Sequence, residues 1–246
     1  SPTGRRQIML FNDAELGKMG AQTFESMKAE TPIAKDAKTN SYVKCVANSL
    51  LAVTPDSTRA QSWEIVVFDA DQVNAFALPG GKIGVYTGLL KVAQNQDQLA
   101  AVVGHEIAHV IAGHSNERLS TNQGIQTILA LGDAGMKAYG VKYQQELMTA
   151  FGLGAQLGVA LPFSRAHESE SDIIGLELMA KAGFEPREAV NLWQNMAALG
   201  SAGTPEFMST HPLPETRIKE LREKLPAAMK LYNERKAASA LPSCQR

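Results

Sequence analysis

His105-Glu106-Ile107-Ala108-His109 puts more chemistry into five residues than any other stretch of this sequence. Two histidines four apart project from one face of a helix, one turn apart, as two ligands of a single metal ion must. Glu106 sits beside the first histidine and is angled off that face. From there it reaches a water activated by the metal without being a ligand itself. Zinc brings the pKa of such a water to about 7, and a carboxylate can take its proton as it attacks a carbonyl. The spacing points to zinc-dependent hydrolysis with His105 and His109 as ligands and Glu106 as general base.

A catalytic zinc takes three protein ligands and leaves one position open. His114 is the nearest further histidine. An extended zinc-protease motif would place glycine and histidine where Ala112 and Ser115 stand, so that frame fails. On a continuous helix, at about 100° per residue, His114 lies nearly opposite His105 and reads as a helix-end residue. The other solution is a carboxylate on a second helix. Ser164 to Asp172 opens such a helix, with Ser164 as its N-cap. Glu168 and Asp172 are four apart and share a face. Glu168 then completes the zinc site, and Asp172 accepts the free ring N–H of a ligand histidine. His167 competes with Glu168, and Glu170 is expected to point elsewhere, into solvent. Without the upstream motif, these acids would read only as a helix start favoured by the macrodipole.

These ligands need a frame. Residues 13–53 read as two N-terminal helices separated at Thr31-Pro32, and residues 63–86 as a small sheet of about three strands with a turn at Pro79-Gly80-Gly81. Residues 97–115 form the helix of the two histidines, 164–182 the third-ligand helix, and 205–246 a C-terminal region. The expected fold is α+β, a mainly helical zincin-type metallopeptidase in a single domain over residues 1–246. The glycine-spotted stretch 115–163 is either a lid over the site or ordinary small-residue helix packing.

The composition excludes other classes. With 44% hydrophobic and 20% charged residues the chain can bury a sizeable core. A net charge of -1 and 6% aromatic content leave no basic face and no stacking platform for nucleic acid. No run reaches the roughly eighteen apolar residues of a membrane span. The start of the sequence lacks the charged-then-apolar pattern of a signal peptide. Cys45 and Cys244 lie away from every ligand candidate. They are expected to form a disulfide tying the C-terminal tail to an early helix in an oxidising compartment. Two free buried thiols are the alternative.

The run from Asn74 to Gly81, Thr87-Gly88-Leu89-Leu90, the histidine motif, Arg165 with Glu168 and Asp172, and His211-Pro212 with Arg217 together resemble the gluzincin family of HtpX and the CAAX prenyl protease. The chain is most similar to its soluble branch, which holds periplasmic lipoprotein peptidases such as LoiP and BepA and mitochondrial inner-membrane relatives. The resemblance covers roughly residues 40–225 and lacks the membrane spans of HtpX. It implies one zinc ion at His105, His109 and Glu168, and a substrate-pairing strand at Asn74, Ala75, Phe76 and Ala77. It also implies a role for His211, and a periplasmic chain tethered through a lipid anchor. Proline after His211 keeps that residue extended. From there it either donates to the oxyanion of the reaction or swings in as a fourth ligand of a latent state. Arg217 braces this segment or joins in the stabilisation.

The expected function is endopeptidase action on extended or misfolded proteins in envelope quality control. The rival is a zinc-stabilised periplasmic chaperone or assembly factor with little proteolytic activity.

Overall fold

The computed structural model describes residues 1–59, 61–122, 163–199, 205–212 and 215–246. Helix α1 spans Asp13–Glu30 and starts in a capping box between Asn12 and Glu15. Helix α2 spans Ala37–Leu51, with the Asp36 carboxylate accepting from the Thr39 N–H. A single turn, α3 (Asp56–Arg59), leads into strands β1 (Glu64–Phe68), β2 (Ala75–Leu78) and β3 (Lys82–Tyr86). A 3-10 turn at Thr87–Lys91 precedes α4 (Gln96–Ile111). After it come α5 (Arg165–Ala182), α6 (Arg187–Leu199), α7 (Glu206–Thr210) and α8 (Glu215–Ala238). The fold is α+β, mostly helical with a small mixed sheet.

The sheet order is β1-β3-β2, with β1 parallel and β2 antiparallel to β3. Side chains alternate across it. Phe68, Phe76, Leu78 and Tyr86 pack with Phe24 of α1 on one face. Ala75, Ala77, Ile83 and Val85 join the larger core with α2, α4, α5 and α6 on the other. The two alanines are small, which lets α4 come close to β2.

Helices α4 and α5 meet at two glycines. A Cβ on Gly175 would stand 2.9 Å from the His105 backbone nitrogen, and one on Gly104 3.2 Å from the Gly175 carbonyl oxygen. Backbone therefore touches backbone here, one residue from the first histidine of the motif. Gly175→Ala is expected to push the helices apart and lower stability by about 1–3 kcal/mol, as overpacking does. Urea unfolding of the variant checks this, and an unchanged midpoint would show that the crossing can relax.

The tail is tied down as well. Cys45 of α2 and Cys244 form a disulfide across a sequence separation of 199. The Cys244 N–H donates to Gln96 Oε1 at 2.7 Å, and Arg246 Nη1 to the Leu90 carbonyl at 2.7 Å. These bonds fasten the tail to the first turn of α4 and to the 3-10 turn before it. For a loop this long, chain entropy puts the loss on reduction at no more than about 5 kcal/mol. Comparing denaturation midpoints with and without reductant measures it.

Helix α4 differs from its expected extent. It ends at Ile111, because Gly113 adopts a positive φ of 66° that breaks the helix in a way other residues rarely allow. Residues 114–122 are helical again. The rest of the stretch read as lid or packing lies mostly outside the described residues. Among those described, no helix is long and apolar enough to cross a membrane.

Candidate metal centre

The α4–α5 crossing brings His105, His109 and Glu168 to one point, and His211, following α7, joins them. One donor atom from each of the four lies within 4.8 Å of the others, and all four side chains are buried. His105 Nε2 is 3.1 Å from His109 Nε2 and 3.4 Å from His211 Nδ1. Glu168 Oε1 is 3.4 Å from His109 Nε2 and 3.0 Å from His211 Nδ1.

Can these residues hold a metal? His105 Nδ1 lies 3.0 Å from Asp172 Oδ1. An ionised carboxylate only accepts, so Nδ1 carries a proton. Burial would lower the ring's pKa, but Asp172 and Glu168 outweigh it and push the metal-free ring up to about 9. A cation would have to displace the second proton to reach Nε2. Burial above all holds His109 well below the usual histidine range, which keeps it neutral. Burial alone would raise Glu168, but His211, His105 and His109 hold it well below the usual carboxylate range. Lone pairs thus converge on one buried point with fewer protons than acceptors among them. A cation answers that deficit, and a nitrogen-and-carboxylate donor set without cysteine suits an open, catalytic zinc site.

Asp172 and Arg217 hold this set from behind. Arg217 Nε and Nη2 donate to the two Asp172 oxygens at 2.7 and 2.8 Å, and Nη1 stands 2.6 Å from Glu168 Oε2. The same Nη1 donates to the Pro212 carbonyl at 2.8 Å, and the guanidinium lies 4.7 Å from the Trp193 ring centre. Burial would raise the Asp172 carboxyl, but Arg217 outweighs it and the result is a lowered pKa.

Glu106 is buried at the mouth of the cluster, 3.4 Å from His211 Nε2. Its Oε1 has no hydrogen-bond partner, and burial raises its pKa. The Ala77 N–H of β2 is aimed at its carboxylate. That contact follows from the register. Tyr86 N–H donates to the Asn74 carbonyl at 3.1 Å, and bonded pairs alternate along an antiparallel ladder. The main-chain groups of Ala75 and Ala77 therefore point away from β3. Asn74, Ala75, Phe76 and Ala77 all have buried side chains, so what β2 offers toward the site is its main chain.

Two expectations fail. Glu170 is not solvated: it is 4% exposed and accepts from His114 Nε2 at 3.0 Å. His114 is not turned away either, since its Nδ1 lies 2.9 Å from His109 Nδ1. The angular argument assumed a continuous helix, which Gly113 breaks. That glycine in a helical run was the available signal. His167 is not in the cluster, and its Nε2 faces Glu117 at 3.2 Å.

The profile of "Peptidase family M48" matches residues 37–225. A mitochondrial metalloendopeptidase OMA1 of Schizosaccharomyces pombe is 40% identical over 192 residues, 77% of this chain and 54% of that protein. Its namesake in Arabidopsis thaliana is 37% identical, over 70% of this chain and 34% of that protein. The beta-barrel assembly-enhancing protease of Yersinia pestis is 29% identical, over 84% and 43%. The chain thus spans about half the length of these relatives, or less. They overturn the expected placement as a periplasmic lipoprotein, because mitochondrial proteins match at higher identity than the bacterial one. The cysteine pair fits any oxidising milieu and does not say which. With its profile covering most of the sequence, the chain belongs to peptidase family M48.

Proposed function

We propose that this chain is a zinc-dependent endopeptidase that cuts extended or misfolded polypeptide, as part of protein quality control. His105, His109 and Glu168 hold one zinc ion, and Glu106 is the general base. The observation that carries this reading is the pairing of a lone-pair cluster with an unpartnered, buried Glu106 oxygen beside a strand edge. When bound, zinc would polarise the peptide carbonyl and make a water acidic enough to react near neutral pH. Glu106 takes the proton at its carboxylate and returns it to the leaving nitrogen, a role its raised pKa suits. The β2 edge aligns an extended peptide by main-chain pairing, which reads little sequence. The Ala75 N–H is held by Asn74 Oδ1 at 2.9 Å, so a bound peptide would replace that partner. A cavity of about 320 Å³ beside His109, lined by Met9, Leu16, Pro79 and Val110 among others, gives a side chain of that peptide a place.

His211 has its Nδ1 within the cluster and its ring stacked 4.3 Å from Phe207. That conformation supports the latent reading, in which its ring is a fourth ligand and holds the open position closed. Arg217 serves as brace in this arrangement.

Casein digestion by the purified protein tests the proposal. Digestion should stop with chelator and return with added zinc. Zinc uptake without any digestion would favour the chaperone or assembly-factor reading instead.

A further inference from the structure

Each histidine of the motif needs its inward nitrogen free of hydrogen. For His105, Asp172 holds the single proton of a metal-bound ring on Nδ1, the outward nitrogen. Among the described residues, no carboxylate does so for His109. Its outward Nδ1 meets another imidazole nitrogen, Nδ1 of His114, at 2.9 Å. Such a bond exists only if one nitrogen donates and the other accepts. The choice is made one step further out. His114 Nε2 is 3.0 Å from Glu170 Oε2, and a carboxylate accepts, so Nε2 carries the His114 proton. His114 Nδ1 then accepts, His109 Nδ1–H donates, and His109 Nε2 faces the cluster with a lone pair.

The far end of this chain is anchored by a remote part of the sequence. Arg5 Nε donates to Glu170 Oε2 at 3.0 Å, and the Thr3 hydroxyl to Glu170 Oε1 at 2.5 Å. The Arg5 guanidinium also clamps Glu117 through Nη1 at 2.6 Å, and Gln7 Nε2 donates to the Ala112 carbonyl at 2.7 Å, just before the break in the helix. His114 is fully buried, against 4% exposure for Glu170, so water does not compete for the bond between these two.

We propose that Glu170 and His114 are positioning residues for His109, a relay that sets its tautomer and ring angle, with Thr3 and Arg5 tying the relay to the N-terminal segment. It rests on the reading of His109 as a zinc ligand. Outer hydrogen-bond partners of metal-bound histidines are worth about 10–100-fold in affinity, and this relay would be the counterpart of Asp172 on the other histidine.

Two measurements test it. In the zinc-loaded wild type, long-range ¹H–¹⁵N spectra of the imidazoles should show His114 protonated at Nε2 and bare at Nδ1. A His114 protonated at Nδ1 overturns the relay, and this readout needs no variant to fold. In chelator competition, His114→Leu should bind zinc about 10–100-fold more weakly than wild type. His114→Asn, whose amide oxygen can take the place of Nδ1, should recover most of that loss. Wild-type affinity in His114→Leu overturns the relay. Failure of the wild type to take up zinc would sink the metal reading itself, and the relay with it.

Discussion

Glu106→Gln is expected to retain zinc and to lose proteolysis by about 10²–10⁴-fold, the range a positioned general base supplies. The substitution keeps the shape of the side chain and removes only its capacity to accept a proton as a carboxylate. Glu106 is not among the four clustered donors, so the metal should stay. Its environment fits a base more than a structural acid. The side chain is 3% exposed, and its Oε1 accepts no hydrogen bond, with His211 Nε2 at 3.4 Å. A fold keeps an unsatisfied buried oxygen at a free-energy cost, and at a reacting centre that oxygen has a use. Metal analysis beside a fluorogenic peptide assay reads both halves of the expectation. Substantial turnover at full zinc occupancy would remove Glu106 from the mechanism.

Arg217→Met is expected to lower stability by about 3–5 kcal/mol, the range for removing one partner of a buried ion pair. Arg217 is 1% exposed and faces two buried carboxylates, Asp172 and Glu168. Methionine fills much of the space against Trp193 but leaves both acids without their cation. Zinc offsets part of the loss at Glu168, so the effect should be larger in chelator than in zinc. Arg217→Lys should recover only a fraction, since one ammonium cannot reproduce the paired bonds to Asp172. Urea unfolding in both conditions checks the sign and the order. Equal midpoints for Arg217→Met and wild type would show that Asp172 and Glu168 do not depend on this arginine.

Much of the frame was legible because its signals are local. β-branched and aromatic runs marked β1 and β3, which the structure places at Glu64–Phe68 and Lys82–Tyr86. β2 runs from Ala75 to Leu78, and its hairpin with β3 closes at the expected turn of Pro79-Gly80-Gly81. Spacing likewise put His105 with His109, and Glu168 with Asp172, on shared faces. What could not be read depends on distant contacts. Nothing near Glu170 announces that Thr3 and Arg5 will cover it, since 165 residues separate Arg5 from it. His114 was misplaced by a rule that holds only while a helix continues. The periplasmic expectation came mainly from the resemblance, whose soluble branch also holds mitochondrial members, and a disulfide carries no information about which membrane lies nearby.

The bond between Cys45 and Cys244 turns most of the chain into a closed ring that contains β2, His105, His109, Glu168 and His211. A cut at one peptide bond anywhere between the two cysteines opens that ring without dividing the molecule. His105 and His109 would stay covalently joined to Glu168 and His211 even if the chain were nicked between α4 and α5. The two parts would separate on a gel only after reduction. Such a nick would leave both halves of the candidate site tethered to one another.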